Sequence, residues 1–293
     1  MWKDGIIRYD HQTKTHDLLN SKHTGDLQLS GDFIHTLQQD QNGKMWVSCL
    51  GNGIDIFDNN KRIKTFGNRD LLSTKVRVIT EHCTGEMILG TEENGIQLLT
   101  LDEDYNIIKT KTLLSDETNN FSYAVNDVKV DANCNIWVAT TNGLVGILTT
   151  YQEPVTYTTK NDLPSNYIAA IEFDDEGMLW ATTNQGIFAL DLSTDKVASY
   201  GQQDGLLSNE FIGGSSAKTE NGNIYFGNTL GINYYNSDQL VFNEQVPPVV
   251  ITSITVSGQE IDSIHSDYKY FSKTNKRTDF HYCLLYTSDA ADE

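Results

Sequence analysis

The chain has 293 residues, 40 of them acidic against 21 basic, for a formal net charge of −19, and its arginines are only Arg8, Arg62, Arg69, Arg77 and Arg277. Phosphate neutralisation needs clustered Lys and Arg, so this balance excludes a nucleic-acid partner and suits a carbohydrate or another neutral ligand better than an anion. No stretch of the sequence reaches the roughly 20 apolar residues of a membrane helix.

Taken in chain order, one pattern returns again and again. The opening Trp2–Asp10 reads as the second half of a repeat. Asp40–Asp58 carries a full copy, with Trp46 and Asn52-Gly53 at its centre. A weaker copy runs from Glu81 to Thr91 and into Asn94-Gly95. Fuller ones follow at Asp131–Leu148, with Trp137 and Asn142-Gly143, and at Asp174–Asp191, with Trp180 and Gly186. The last runs from Glu220 to Gly227 and into Leu230-Gly231. The recurring glycines are spaced by about 45 residues, the length of a four-stranded propeller blade.

Each part of the repeat has a physical reason. Ile168–Asp174 is apolar enough to be a strand buried between neighbouring sheets, and the Asp/Asn/Gly cluster after it tolerates a tight turn. Met178–Thr183 is rich in the aromatic and β-branched residues that fit a pleated surface. The Asn-Gly pairs predict type I′ hairpins, with positive φ at both central residues. Ile187–Leu190 and Lys196–Tyr200 complete the blade, and Asp162–Asn166 leads into the next. No amphipathic helix of useful length is present. The expected fold is all-β: a partial β-propeller of about five whole four-stranded blades plus a remnant. A solenoid of open sheets is the alternative, and Trp-bearing strands at this period favour radial packing over it.

The order Asp-x-x-Gly-x-x-Trp, Thr, Asn-Gly-Ile/Leu and a closing Asp resembles the two-component regulator propeller repeat. Asp204–Phe211 followed by Gly222–Ile232 resembles the final blade of that family, and Asn243–Gly258, marked by Pro247-Pro248, resembles entry into its three-tyrosine immunoglobulin-like domain. The resemblance implies the periplasmic sensor region of a Bacteroidetes hybrid two-component system, with seven-bladed propellers, a membrane helix and a histidine kinase beyond them. It further implies an oligosaccharide ligand, control of polysaccharide-utilisation genes, and a membrane-anchored, homodimeric parent. The expected boundaries are 1–243 for the blades, 244–282 for the truncated start of the immunoglobulin-like domain, and 283–293 as a tail. That tail, Cys283–Glu293, resembles the in-frame translation of a transposase-type sequencing adapter. Met1 falls inside a repeat, so the chain is expected to be incomplete at both ends.

No catalytic residue, metal site or cofactor is implied. The histidines (His11, His16, His23, His35, His82, His265 and His281) lack metal-ligand spacing and read as surface or turn residues. Trp46, Trp137 and Trp180 recur at one repeat position, which marks packing between blades. The cysteines Cys49, Cys83, Cys134 and Cys283 form no CxxC pair. Cys83 and Cys134 fall in comparable turns of neighbouring repeats, which permits a disulfide, but free thiols are the expectation. Asp175–Trp180 resembles the Asp box of sialidase-type propellers, yet those enzymes need an arginine cluster that three of these blades lack. A lyase-type site needs several axial His, Asp or Glu, and no such set repeats. A generic protein-interaction propeller is the main competitor. For a sensor, the loops entering the inner strands are the candidates: Asn126, Asn166, Asn209 and Glu210 for sugar hydroxyls, with Tyr123, Tyr167 and Phe211 beside them for sugar rings. Asn is also a turn residue, so each has a purely structural reading.

Overall fold

Period-2 strands joined by short turns dictate antiparallel hairpins, and the described residues form little else. The computed structural model describes residues 4–114, 123–150 and 153–236, together with the backbone of 255–256 and 259–260. The chain divides into two units, residues 1–240 and 241–293. In the second, Thr255–Val256 pairs antiparallel with Gln259–Glu260. The rest of the expected immunoglobulin-like stretch at 244–282, and the tail at 283–293, lie outside the described residues.

The first unit is a series of antiparallel sheets in chain order. Ile6–Asp10 (β1) pairs with Thr15–Leu19 (β2). The first complete blade is Ile34–Gln39 (β3), Met45–Cys49 (β4), Gly53–Asp58 (β5) and Lys61–Phe66 (β6). The second is Val76–Glu81 (β7), Met87–Thr91 (β8), Ile96–Leu101 (β9) and Ile107–Leu114 (β10). The third is Val125–Val130 (β11), Ile136–Thr140 (β12), Gly143–Ile147 (β13) and Val155–Tyr157 (β14). The fourth is Ile168–Phe173 (β15), Leu179–Thr183 (β16), Ile187–Asp191 (β17) and Lys196–Tyr200 (β18). A fifth shows Phe211–Lys218 (β19), Ile224–Asn228 (β20) and Gly231–Tyr235 (β21) among the described residues. The first strands of successive blades, β3, β7, β11, β15 and β19, lie side by side as an inner layer. This is the propeller the repeat calls for.

The core sits between blades. One cluster joins Trp46, Ile54 and Ile56 of the first blade to Val76, Ile79 and Leu89 of the second, and equivalent clusters fill each following interface. The three repeated tryptophans are 0%, 2% and 4% exposed, which places them in the packing as expected. Burying an indole of this size stabilises by roughly 4–6 kcal/mol before entropy is counted. Each indole also has an acceptor six residues earlier. Trp46, Trp137 and Trp180 donate from Nε1 to Oδ2 of Asp40 (2.9 Å), Asp131 (3.1 Å) and Asp174 (2.9 Å). The other oxygen of each aspartate accepts a backbone N–H from the turn, as Asp174 does from Met178 at 2.8 Å. The Asp and Trp of the repeat are therefore one device, which closes the turn and satisfies the buried indole.

Two expectations are corrected. In the Asn-Gly pairs only the glycine is left-handed, so the turns are not type I′. The glycine is required for a different reason: at Gly53 (φ +100°) a Cβ would lie 2.0 Å from the carbonyl oxygen of Phe66, the end of the blade's fourth strand. Gly186 (φ +110°) stands likewise over Tyr200, at 2.2 Å. The second correction concerns the cysteines. Cys83, in the β7–β8 turn, and Cys134, in the β11–β12 turn, are bridged, with Cα atoms 5.8 Å apart. Radial packing brings equivalent turns of adjacent blades together, and the bond staples them. His82 Nε2 lies 3.0 Å from the Cys134 carbonyl and reinforces the contact. Cys49 is a buried free thiol whose pKa is pushed up to about 12, first by burial and then by Asp55.

Candidate ligand site on the inner strands

Every inner strand breaks register with its neighbour at the same place. Pairing slips between Ile34 and Leu37, Val76 and Val78, Val125 and Asp127, Ile168 and Ala170, and Phe211 and Ser216. A bulge inserts residues that the ladder does not use and re-aims their side chains. Here the bulged positions are His35 with Thr36, Arg77, Asn126, Ala169 and the run Ile212–Ser215. They form one level of the inner layer, just inside the loops that enter it.

The polar members at this level reach from blade to blade. His35 Nδ1 lies 2.9 Å from the Arg77 carbonyl, and Arg77 Nε donates to His35 Nε2 at 3.5 Å. The two contacts together fix a neutral imidazole with its proton on Nδ1. Burial and then the Arg77 charge hold the His35 pKa below the usual imidazole value. The sequence reads His35 as a surface or turn residue. It is instead half-buried within β3, because the bulge turns it inward. Asn126 donates from Nδ2 to the Ile168 carbonyl at 2.7 Å, and its Oδ1 has no hydrogen-bond partner among the described residues although the residue is 2% exposed. β19 lies directly above: a Cβ on Gly213 would fall 3.8 Å from Asn126 Cγ and 3.7 Å from the Tyr167 hydroxyl.

One step further along the strands is a buried charged group. Asp127 accepts from the backbone N–H of Ile171 (3.0 Å) and of Val128 (2.8 Å). Lys129 pairs with Glu172 at 2.8 Å, and Ser216 Oγ donates to the Ile171 carbonyl at 3.1 Å. Burial raises the Asp127 carboxyl pKa, and it would lower that of Lys129, but the Asp127 and Glu172 carboxylates outweigh it and hold the ammonium charged. This group ties β11, β15 and β19 together below the bulges.

The candidates read from the sequence separate by environment. Asn166 and Asn209 do one job: their Oδ1 atoms accept from the backbone N–H of Thr159 (2.8 Å) and Gln202 (2.9 Å), the first residues of two single-turn 3-10 helices. Their carbonyls accept from Gly143 (2.6 Å) and Gly186 (2.8 Å). Phe211 is 6% exposed in the core between the last two blades, and Tyr167 packs against the same cluster. Tyr123 and Glu210 are exposed at the loop ends, and Asn126 lies beneath them on its strand. Sequence reasoning missed His35 and Arg77 as site residues, because β3 and β7 carry other polar residues as well and nothing in the strand pattern singles these two out. Among the described residues no group of three His, Cys, Asp or Glu is placed to hold a metal. The level offers a cation, an amide and aromatic neighbours, a set suited to holding a polar molecule in place.

Comparison with known proteins agrees with this architecture. The family model for the two component regulator propeller matches residues 28–51. Histidine kinase P4 of Formosa agariphila is 31% identical over 101 residues, which is 34% of this chain and 7% of that protein. The extracellular domain described for a hybrid two component system of B. thetaiotaomicron is similar at TM-score 0.72 and 24% identity, over 96% of this chain and 36% of that one. Virginiamycin B lyase from Staphylococcus aureus is similar at TM-score 0.53 and 19% identity, over 70% of this chain and 67% of that one. At these identities both structures speak to the propeller fold alone.

Proposed function

We propose that the chain is a two-component regulator propeller protein, the extracytoplasmic sensing domain of a two-component signalling protein, and that its ligand is an oligosaccharide. The observation that carries this is the level of bulged inner-strand residues. There Asn126 Oδ1 is buried without a hydrogen-bond partner among the described residues, Arg77 stands at the equivalent bulge of the neighbouring inner strand, and the residues leading into β11, β15 and β19 include Tyr123, Tyr167 and Glu210. Amide and carboxylate groups suit sugar hydroxyls, and aromatic faces suit sugar rings. The Cys83–Cys134 bridge supports a periplasmic location, because disulfides persist in oxidising compartments and are rare in the cytosol. The whole protein then carries residues 1–243 as propeller and 244–282 as the start of an immunoglobulin-like domain, on a membrane-anchored homodimeric kinase that governs polysaccharide-utilisation genes. Signal transfer requires only that the ligand bind one arrangement of the propellers or protomers better than the other.

A thermal-shift screen against defined oligosaccharides tests the reading. Ligand at a hundred times its Kd adds about 2.7 kcal/mol, a rise of roughly 5–10 °C for a chain of this size. Melting unmoved by every sugar at millimolar concentration would sink the proposal.

A further inference from the structure

The surface charge of the chain points away from anions, but the inner-strand level does not share it. Of the described arginines, Arg8 pairs with Asp17 and Arg62 lies 3.7 Å from Asp55, while Arg69 is exposed. Arg77 is half-buried and has no ion pair among the described residues. A guanidinium held partly out of water is stabilised by an anion that meets its fork. Nε is turned to His35, which is neutral and anchored by its own bond to the Arg77 carbonyl. The two terminal nitrogens have no hydrogen-bond partner among the described residues. Glu92 is a nearby carboxylate, and Lys75 pairs with it at 3.8 Å and with Glu93 at 2.7 Å. Asn126 occupies the equivalent bulge of the next inner strand, with a buried oxygen that has no partner among the described residues and can accept a hydroxyl.

We infer that the Arg77 fork is the specificity element of this site and takes the carboxylate of an acidic sugar, a uronic-acid residue, while Asn126 Oδ1 accepts a hydroxyl of the same ligand. A planar fork meets a planar carboxylate through two parallel hydrogen bonds, a match that neither lysine nor a neutral amide reproduces. The chain's net negative charge acts against this only at long range, where salt at physiological strength screens it within about 8 Å. The inference rests on the oligosaccharide reading above and narrows it to one ligand class.

The test is titration calorimetry of the full chain with trimers of galacturonate, glucuronate and mannuronate, each beside its neutral methyl ester. Arg77→Gln is the test variant. Arg69→Gln, at an exposed arginine, controls for bulk charge, and circular dichroism of each variant checks folding. The expected result is one-to-one binding of a uronate trimer, weakened at least tenfold both by esterification and by Arg77→Gln, and unchanged by Arg69→Gln. Arg77→Lys keeps the charge without the fork and should recover only part of the affinity. If esters bind as well as acids, or folded Arg77→Gln binds normally, the inference falls and the oligosaccharide reading stands. If no trimer of either kind binds while neutral sugars do, the inference again falls alone. If no sugar binds, both fall.

Discussion

Removing the inter-blade disulfide gives a sharp physical test of the fold. The bond closes a loop with a sequence separation of 51 residues. By the chain-entropy relation a loop of that length restricts the unfolded state by about 4 kcal/mol at room temperature. The folded state loses little else. Cys83 and Cys134 sit in surface turns, and the contact between His82 and the Cys134 carbonyl at 3.0 Å survives in a Cys83→Ser/Cys134→Ser chain. A chain of this size moves roughly 2–4 °C per kcal/mol, so calorimetric melting should drop by roughly 8–16 °C. Wild type melted with a phosphine reductant should fall to the same temperature. Thiol titration in denaturant gives an independent count, with Cys49 reacting and Cys83 and Cys134 silent in the oxidised chain. Equal melting of variant and wild type, or reaction of all four cysteines, would refute the argument that radial packing brings these turns together.

Three further outcomes follow from the same geometry. Asp174→Ala leaves the Trp180 indole and the Met178 and Glu176 N–H groups without their acceptor, and urea unfolding should show a loss of roughly 2–4 kcal/mol. A loss below half a kilocalorie, well under that range, would mean that the Asp–Trp pair does not hold the turn. Gly186→Ala places a Cβ 2.2 Å from the Tyr200 carbonyl and should cost about 2 kcal/mol or more. Gly177→Ala (φ +85°), with nothing within 4 Å, should cost about 1; equal costs would remove the close-approach explanation. His35 gives the pH dependence. Its folded pKa lies below the unfolded value of 6.5, so the unfolded chain takes up the proton first. The stability tied to this group is therefore present above 6.5 and lost as pH falls through the folded pKa. Urea midpoints at about pH 7.5 and about pH 5 should differ more in wild type than in His35→Gln, and an identical drop in both would contradict the assignment.

The propeller was legible because its signals are local and repeat. The Trp of the second strand, the Asp six residues before it and the glycine opening the third strand all recur at blade spacing. The Asn-Gly dipeptides pointed to the right turns for the wrong reason, since the constraint on Gly53 is the Phe66 carbonyl across the sheet. Asn166 and Asn209 show where the reasoning for the site stopped short. They recur at one repeat position, and recurrence there marks structure for them as it does for the tryptophans. Their oxygens are indeed taken by the 3-10 turns beside them. His35 and Arg77 were hidden because a bulge is a property of register, and one sequence does not reveal which residue of a short strand is left unpaired. The Cys83–Cys134 bridge depends likewise on how adjacent blades are set, and their separation along the chain does not encode it.

The place where ligand binds decides between the inner strands and the rest of the propeller. Hydrogen exchange read by mass spectrometry, with and without the tightest-binding oligosaccharide of the screen, tests this directly. The account expects slowed exchange at residues 33–36, 74–78, 123–127 and 166–170, the ends of the inner strands and their entry loops. Protection confined to the outer strands at 61–66 and 196–200, with the inner-strand ends unchanged, would contradict it.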